Sequence, residues 1–201
     1  LDDYDGITFG CRATLDHEGI MRSFATLGGG NHFIEIDKGE DGYLWIVVHS
    51  GSRSMGRMVY EYYDRLAEKT CMEDTYFKYL SGLDASDYAT DVCDAAKFAH
   101  FNRMKIICII MDKMKMKRFD IHKGSCVVES VHNYVETNWN DSGIEYARTL
   151  RKGAIKANLW DQVIIPINMR DGIIIGESKA NPEWNYSALM DLEELLLENK
   201  S

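Results

Sequence analysis

Two stretches decide how this chain folds: Leu27-Gly28-Gly29-Gly30-Asn31-His32-Phe33-Ile34-Glu35-Ile36 and, a short distance on, Val47-Val48-His49-Ser50-Gly51-Ser52-Arg53. Each joins an apolar, strand-like run to small, flexible residues beside a histidine. Histidine is the commonest protein ligand for transition metals, and glycines let backbone N–H groups approach an anion closely. Together with a later histidine in His132-Asn133-Tyr134, the two stretches predict a metal and phosphate site.

The pattern of apolar residues predicts a hairpin followed by two helices. Residues 32–37 and 43–49 are predicted strands, and the continuous apolar run 45–48 is typical of a strand buried on both faces. Residues 55–69 are a predicted helix because their apolar positions fall at helical spacing. A longer helix is predicted from Asp84 to Gly124, with Ser86 as a candidate N-cap.

The remainder of the chain alternates short apolar runs with turn residues. Strands are predicted at 144–151, 162–168 and 172–176, and Asp171-Gly172 is typical of a hairpin turn between the last two. Leu189 to Ser201 is a predicted short acidic helix. Strands clustered around long helices indicate an α+β fold.

A chain of 201 residues can form one large domain or two small ones, and we predict a single folded domain over residues 1–201. The chain is 45% hydrophobic and 11% aromatic, and its formal net charge is −9. That charge argues against a nonspecific nucleic-acid coat, although a local basic cluster could still grip one RNA end. Five cysteines without a C-x-x-C pair favour a reducing cytoplasm. No run approaches about 18 apolar residues, so we expect no membrane association.

The proposed metal ligands are His32, His49 and His132. A single histidine is more often a structural or surface residue than a ligand. Three histidines, each at a strand end or beside small or amide residues, favour a metal site. Nitrogen ligands suit manganese, zinc or nickel, so the residues alone leave the metal open.

Ser50, Ser52 and Arg53 indicate that an oxyanion binds beside the second histidine. The guanidinium fork of arginine pairs two phosphate oxygens. The alternative is a polar turn into the following helix, with Ser52 or Ser54 as N-cap. Both interpretations can hold, because a helix N-terminus itself favours an anion.

These blocks resemble the RtcB family of RNA ligases. The matching segments, spread from about residue 22 to 188, are Leu27 to Ile36, His49 to Arg53, His132-Asn133, Arg151 to Ala154, Ile165 to Gly176 and Trp184 to Ala188. The resemblance implies a GTP- and manganese-dependent enzyme that joins 2′,3′-cyclic-phosphate or 3′-phosphate RNA ends to 5′-hydroxyl ends, in tRNA splicing or RNA repair. It further implies tRNA halves or damaged RNA as substrates, an archease-like accessory protein, and a β-sandwich-like core flanked by helices.

The resemblance also implies roles for individual residues. His32, His49 and His132 would hold manganese. The guanine nucleotide would contact a second set, namely Asn31, Phe33, Glu35, Asn133 and Asn168. The phosphate and the RNA end would contact a third set, namely Ser50, Ser52, Arg53, Arg151 and Lys152. For Phe33 the plain alternative is strand packing, and for Glu35 an exposed strand face.

Two family blocks are absent from the sequence. The family nucleophile lies in His-Gly-Ala-Gly-Arg, and no histidine follows His132 here. An Asp-x-Gly-Cys-Gly block that supplies further metal ligands is also missing, and Cys11 stands in the wrong context to replace it. Covalent catalysis needs a nucleophile, so the catalytic residue is unknown. A truncated or noncatalytic relative that binds metal and guanine nucleotide is the first alternative, and a metal-dependent phosphoesterase is the second.

Overall fold

The computed structural model describes residues 12–13, 15–71, 78–115, 127–139, 145–168 and 170–179, with side chains described outside 137–150. A hairpin and two long helices follow a short first helix, and four strands come last. Their order is α1 (His17–Ser23), β1 (Phe33–Lys38), β2 (Leu44–His49), α2 (Arg53–Thr70), α3 (Gly82–Lys113), β3 (Asn133–Trp139), β4 (Glu145–Lys152), β5 (Gln162–Asn168) and β6 (Gly172–Glu177). Within these residues, no helix is long and apolar enough to cross a membrane.

Helices α2 and α3 pack together and supply most of the core. Every fourth residue of α2 is buried, in the order Met55, Val59, Tyr63 and Ala67. This spacing places the four side chains on one face. The core forms two clusters, of which one is Ile20, Met55, Ala95 and Phe98 and the other is Ala13, Val59 and Tyr63.

Strands β1 and β2 form an antiparallel hairpin. Its register pairs Phe33 with His49 at one end and Lys38 with Leu44 at the other. The turn is closed by a hydrogen bond of 2.9 Å from the Gly39 N–H to the Tyr43 carbonyl. Side chains alternate between faces along a strand, so Phe33 and His49 share one face at the end that leads into α2.

Two further pairs of strands follow. In the described part of the chain the sheets are two-stranded, with β3 beside β4 and β5 antiparallel to β6. The chain divides into two compact units. The first contains residues 1–120 and 134–150, and the second contains residues 121–133 and 151–201.

The structure confirms the α+β class, and the predicted strands and the helix after the hairpin are present. Three details of the predictions were wrong. Helix α3 begins at Gly82 with Ser81 as its N-cap, so Ser86 lies inside it, and it ends at Lys113 rather than near Gly124. The run 45–48 is half-buried instead of fully buried. Helix α1 and strand β3 were not predicted, and the predicted helix at 189–201 lies outside the described residues.

Candidate functional site

The open end of the β1–β2 hairpin brings two of the predicted metal ligands together. The imidazole centroids of His32 and His49 are 5.8 Å apart, with the rings nearly perpendicular. The phenyl ring of Phe33 lies 5.1 Å from the His49 ring, also edge to face. Because Phe33 is directly opposite His49 in the register, the strand pairing itself fixes this aromatic group.

The imidazole of His32 lies between two glycines. A Cβ added to Gly28 would come within 2.6 Å of His32 Nδ1, and one added to Gly51 would lie 3.7 Å from His32 Nε2. Gly28 has a φ of +103°, a conformation that glycine adopts without steric cost. His32 Nδ1 is buried and has no hydrogen-bond partner among the described residues. A buried imidazole nitrogen without a partner suits coordination or ligand contact better than packing.

Arg53 lies against the same glycine. Its guanidinium would meet a Cβ added to Gly28 even before His32 does, and its Nε donates a hydrogen bond of 3.2 Å to Thr26 Oγ1. Arg53 is the first residue of α2 and has a φ of +54°. Left-handed backbone at a non-glycine residue costs roughly 1–3 kcal/mol and is found most often at functional sites.

The two serines before Arg53 differ in their surroundings. Ser50 is buried, and its hydroxyl donates to the Leu27 carbonyl at 2.8 Å. Ser52 occupies the N-cap position of α2 but makes no side-chain capping bond. Its hydroxyl is close enough to Gly56 that an added Cβ there would clash with it. Asn31, immediately before His32, is exposed.

Strand β1 presents two carboxylates on the face that carries Phe33. Glu35 is half-buried, and that burial, followed by the nearby charge of Asp37, raises the pKa of its carboxyl group. Asp37 Oδ2 is buried without a hydrogen-bond partner among the described residues. Burial and the nearby charge disfavour the ionised form of Glu35, and the partnerless Asp37 oxygen is an acceptor for donors such as N–H groups.

In the second unit, the residues that directly follow the predicted pair Arg151-Lys152 contact the predicted pair His132-Asn133. The Gly153 N–H donates to the Asn133 side-chain oxygen at 2.9 Å, and the Ala154 N–H donates to the His132 carbonyl at 3.2 Å. Gly153 has a φ of +67°, which turns the chain sharply after β4. The basic pair therefore ends beside the histidine and asparagine in this unit.

Asn168 lies at the β5–β6 turn. Its side-chain oxygen accepts from the N–H groups of Arg170 and Asp171, both at 2.9 Å, and its amide donates to Asp171 at 2.7 Å. Bonds from the Arg170 guanidinium and then from Asn168 lower the pKa of the Asp171 carboxyl group. The described contacts of Asn168 are thus those of a turn residue.

The structure therefore assembles two partial groups. His32, His49 and Arg53 meet in the first unit, while His132, Asn133, Arg151 and Lys152 belong to the second or border it. Within the described ranges, no group of three or more histidine, cysteine or acidic side chains is arranged to hold a metal. Cys11 lies outside those ranges.

Sequence reasoning missed Asn102, which is completely buried and bonds to both histidine-bearing loops. A signal was present, because Asn102 is a polar residue at helical spacing between the apolar Phe98 and Ile106. Such a residue must find hydrogen-bond partners when it is buried.

Comparisons with known proteins give a consistent result. Residues 12–189 match the family described as tRNA-splicing ligase RtcB. The RNA-splicing ligase RtcB of Escherichia coli K12 is 31% identical over 178 residues, which cover 81% of this chain and 42% of the relative. The tRNA-splicing ligase RtcB of Nanoarchaeum equitans is 29% identical over 196 residues, covering 77% of this chain and 41% of the relative. This chain thus spans less than half the length of either relative. No solved structure matches it significantly.

Proposed function

Because the chain belongs to the RtcB family, we propose that it acts in a GTP- and manganese-dependent RNA ligase. The reaction joins 2′,3′-cyclic-phosphate or 3′-phosphate RNA ends to 5′-hydroxyl ends in tRNA splicing or RNA repair. One observation carries the proposal, namely that the matched segment folds so that His32, His49 and Arg53 meet at one hairpin end. The matched part of this chain corresponds to about two fifths of the length of its relatives. The complete reaction is therefore proposed for the whole protein.

The residues present fit a transition-metal ion. Two imidazoles 5.8 Å apart can share one ion, since metal–nitrogen bonds are about 2.1 Å long. The His32 ring has no hydrogen bond at Nδ1 within the described part of the chain, and its Nε2 faces Gly51. We propose that His32, His49 and His132 hold Mn²⁺. When bound, the ion supplies positive charge that stabilises negatively charged phosphate oxygens.

Arg53 would bind a phosphate group beside Gly28, on the side of this glycine that also faces His32. Its guanidinium is oriented by Thr26 and presents a planar pair of donors. We propose that Ser50 and Ser52 assist it, and that Arg151 and Lys152 add positive charge at the RNA end. These residues bind and orient phosphate, and none of them is assigned as the nucleophile.

The guanine nucleotide would lie along the polar face of β1, and Asn133 in the second unit is a further contact that only the family resemblance implies. Glu35 can accept N–H donors from a guanine edge, Phe33 offers an aromatic ring, and Asn31 and Asn168 offer amide groups. The raised pKa of Glu35 reflects a partly desolvated carboxyl group. A donor that pairs with this carboxylate is therefore bound more strongly than one in open solvent.

Further parts of the proposal concern the whole protein. We propose that residues 1–201 form a single domain of a β-sandwich-like core flanked by helices, partial relative to the family. Its substrates would be tRNA halves or damaged RNA, with an archease-like protein as accessory factor. The cysteine content favours a cytoplasmic location.

A second candidate function is that of a noncatalytic relative that binds metal and guanine nucleotide. One observation favours it: the sequence lacks the His-Gly-Ala-Gly-Arg block, and no histidine follows His132. In this case the two histidines and Arg53 would bind their ligands without the transfer of guanylate.

The test combines direct binding with sealing of RNA ends. The full chain is titrated with Mn²⁺, then incubated with Mn²⁺, α-labelled GTP and RNAs bearing the two kinds of end. Joined RNA supports the ligase, and binding of Mn²⁺ and GTP without labelling or joining supports the noncatalytic relative. A protein that binds neither Mn²⁺ nor GTP would overturn both, and release of a cyclic phosphate without GTP would indicate a phosphoesterase.

A further inference from the structure

Asn102 is buried beneath the loops that carry the two histidines. It lies on α3 and is 0% exposed. Its side-chain NH₂ group donates toward the Thr26 carbonyl at 3.2 Å, Ser50 Oγ at 3.0 Å and, more weakly, the Gly51 carbonyl at 3.5 Å. One carboxamide therefore joins the loop before β1 to the loop after β2.

The connection continues through Ser50. Its hydroxyl accepts from Asn102 and donates to the Leu27 carbonyl at 2.8 Å. The neighbouring Arg103 donates to the Ser50 carbonyl at 3.0 Å. Consecutive residues of one rigid helix thus hold both the side chain and the backbone of Ser50. Such a network fixes the spacing between the two loops.

The two loops that Asn102 joins are also those that enclose His32. Gly28 lies against Nδ1 of the imidazole and Gly51 faces its Nε2. Metal-binding histidines are usually oriented by a hydrogen bond from the second ring nitrogen to a carbonyl or carboxylate. His32 Nδ1 has no such bond within the described part of the chain. The orientation of this ring therefore depends on the spacing of the two glycine loops.

We infer that Asn102 is a positioning residue that sets the orientation of the His32 imidazole and the place of Arg53 by holding the two loops at a fixed separation. The assignment of His32 and Arg53 to a metal and phosphate site rests on the proposed function. The positioning itself concerns only contacts within the first unit. Asn102 touches no ligand in this account and acts through Ser50, Thr26 and Gly51.

The experiment compares Asn102→Ala with Asp91→Ala in the full chain. Asp91 is a matched control, because it is also a buried polar residue of α3 but holds Arg12 and Ala13 instead of the histidine loops. Two signals are recorded well below the unfolding temperature. One is the dissociation constant of Co²⁺, an optical probe of nitrogen ligands. The other is the ring nitrogen resonances of His32 and His49 in the metal-free protein.

We expect Asn102→Ala to weaken Co²⁺ binding by about tenfold or more, the size of effect usual when a residue that orients a ligand is lost. The His32 ring resonances should shift as well. Asp91→Ala should leave both signals unchanged although it lowers the thermal stability. Unchanged signals in Asn102→Ala, or equal changes in the two variants, would overturn the inference.

Two further arrangements keep the outcomes separate. If Asn102→Ala does not fold, Asn102→Leu replaces the carboxamide with an apolar side chain of similar size and removes the same hydrogen bonds. If the unmodified protein binds no Co²⁺, the proposed metal site fails. The positioning role is then decided by the His32 resonances alone.

Discussion

Helix α3 buries three polar side chains in the described part of the chain, and two of them, Asp91 and Asn102, lie in contrasting surroundings. Both oxygens of Asp91 are occupied: Oδ1 accepts from the Arg12 N–H at 3.2 Å, and Oδ2 accepts from the Ala13 N–H and the Tyr63 hydroxyl at 3.1 and 3.0 Å. Asn102 uses its NH₂ group fully, but its side-chain oxygen has no partner among the described residues.

The difference lies in what each residue holds. Asp91 ties a chain segment and Tyr63 to a core cluster that contains Ala13 and Val59. Asn102 ties two glycine-containing loops whose other contacts are with His32 and Arg53. Burial alone therefore does not separate a polar residue that stabilises the fold from one that shapes a site. The partners of the side chain make that distinction.

The largest effect expected on stability comes from Asp91→Ala. The substitution leaves the buried Ala13 N–H, the partly buried Arg12 N–H and the buried Tyr63 phenol without their acceptor. One hydrogen bond contributes about 1 kcal/mol net, so we expect the loss of all three to lower the free energy of unfolding by about 3 kcal/mol. Urea denaturation followed by circular dichroism measures this. A loss no greater than that of an exposed control such as Glu18→Ala would show that Asp91 does not stabilise the fold.

The loop side of the comparison is sharpened by Gly28→Ala, with Gly30→Ala as its control. Both glycines have positive φ, but an added Cβ at Gly28 meets Arg53 and His32, whereas one at Gly30 meets nothing within 4 Å. Left-handed backbone costs an alanine about 1–2 kcal/mol in either case. We expect Gly28→Ala to cost about 2 kcal/mol and to weaken Co²⁺ binding as well.

Only the first variant should change the site. Gly30→Ala is expected to lower stability while the Co²⁺ dissociation constant stays at its original value. Equal loss of metal affinity in both variants would show that any alanine at a positive φ in this loop weakens metal binding. The close approach of Gly28 to His32 would then explain nothing.

Asn102 also marks the limit of what the sequence could predict. The hairpin and α2 follow from local periodicity and turn residues, and the histidine and glycine motifs identify His32, His49 and Arg53. The partners of Asn102 lie 76 and 52 residues away in the chain. No local pattern contains that information. The start of α3 was misplaced because both Ser81 and Ser86 are acceptable N-caps, and tertiary packing decides between them.

A smaller effect is expected from Tyr63→Phe, which removes one of the three donors to Asp91. We expect the free energy of unfolding to fall by about 1 kcal/mol, the usual value of one hydrogen bond. Thermal denaturation of the two proteins at neutral pH measures this loss. A phenylalanine protein as stable as the original would mean that the two backbone donors alone satisfy Asp91.

The same variant carries a pH dependence. Burial, and then the hydrogen bond to Asp91, raises the pKa of the Tyr63 phenol. The folded state therefore holds this proton more tightly than the unfolded state. The resulting stabilisation is complete below the ordinary tyrosine pKa of about 10 and is lost as the pH rises above it. Tyr63→Phe should flatten this alkaline decline. A spectroscopic phenol titration of the original protein should show a late-ionising tyrosine that is missing from Tyr63→Phe.

The smallest effect, and the most direct test of the polar face of β1, is expected from Glu35→Gln. Burial, and then the charge of Asp37, raises the pKa of the Glu35 carboxyl group. The folded state binds that proton more tightly, so stability falls as the pH rises from the ordinary glutamate value of about 4.3 through the raised one. Glutamine has no such dependence. The variant should therefore gain stability relative to the original protein as the pH rises to neutrality, as measured by urea midpoints in the presence of a chelator.

Asp37→Asn separates the two causes, because it removes the charge and leaves the burial of Glu35 in place. A stability difference between Glu35→Gln and the original protein that persists in the Asp37→Asn background would assign the shift to burial. A difference that is independent of pH would show that Glu35 is as well hydrated in the folded protein as in the unfolded chain. The β1 face would then be an ordinary solvated surface, and the case for a guanine contact there would rest on the family match alone. In that event, the hydrogen bonds of Asn102 to Thr26 and Ser50 would still hold the two loops at the end of the hairpin. This end would remain the ordered part of the proposed site.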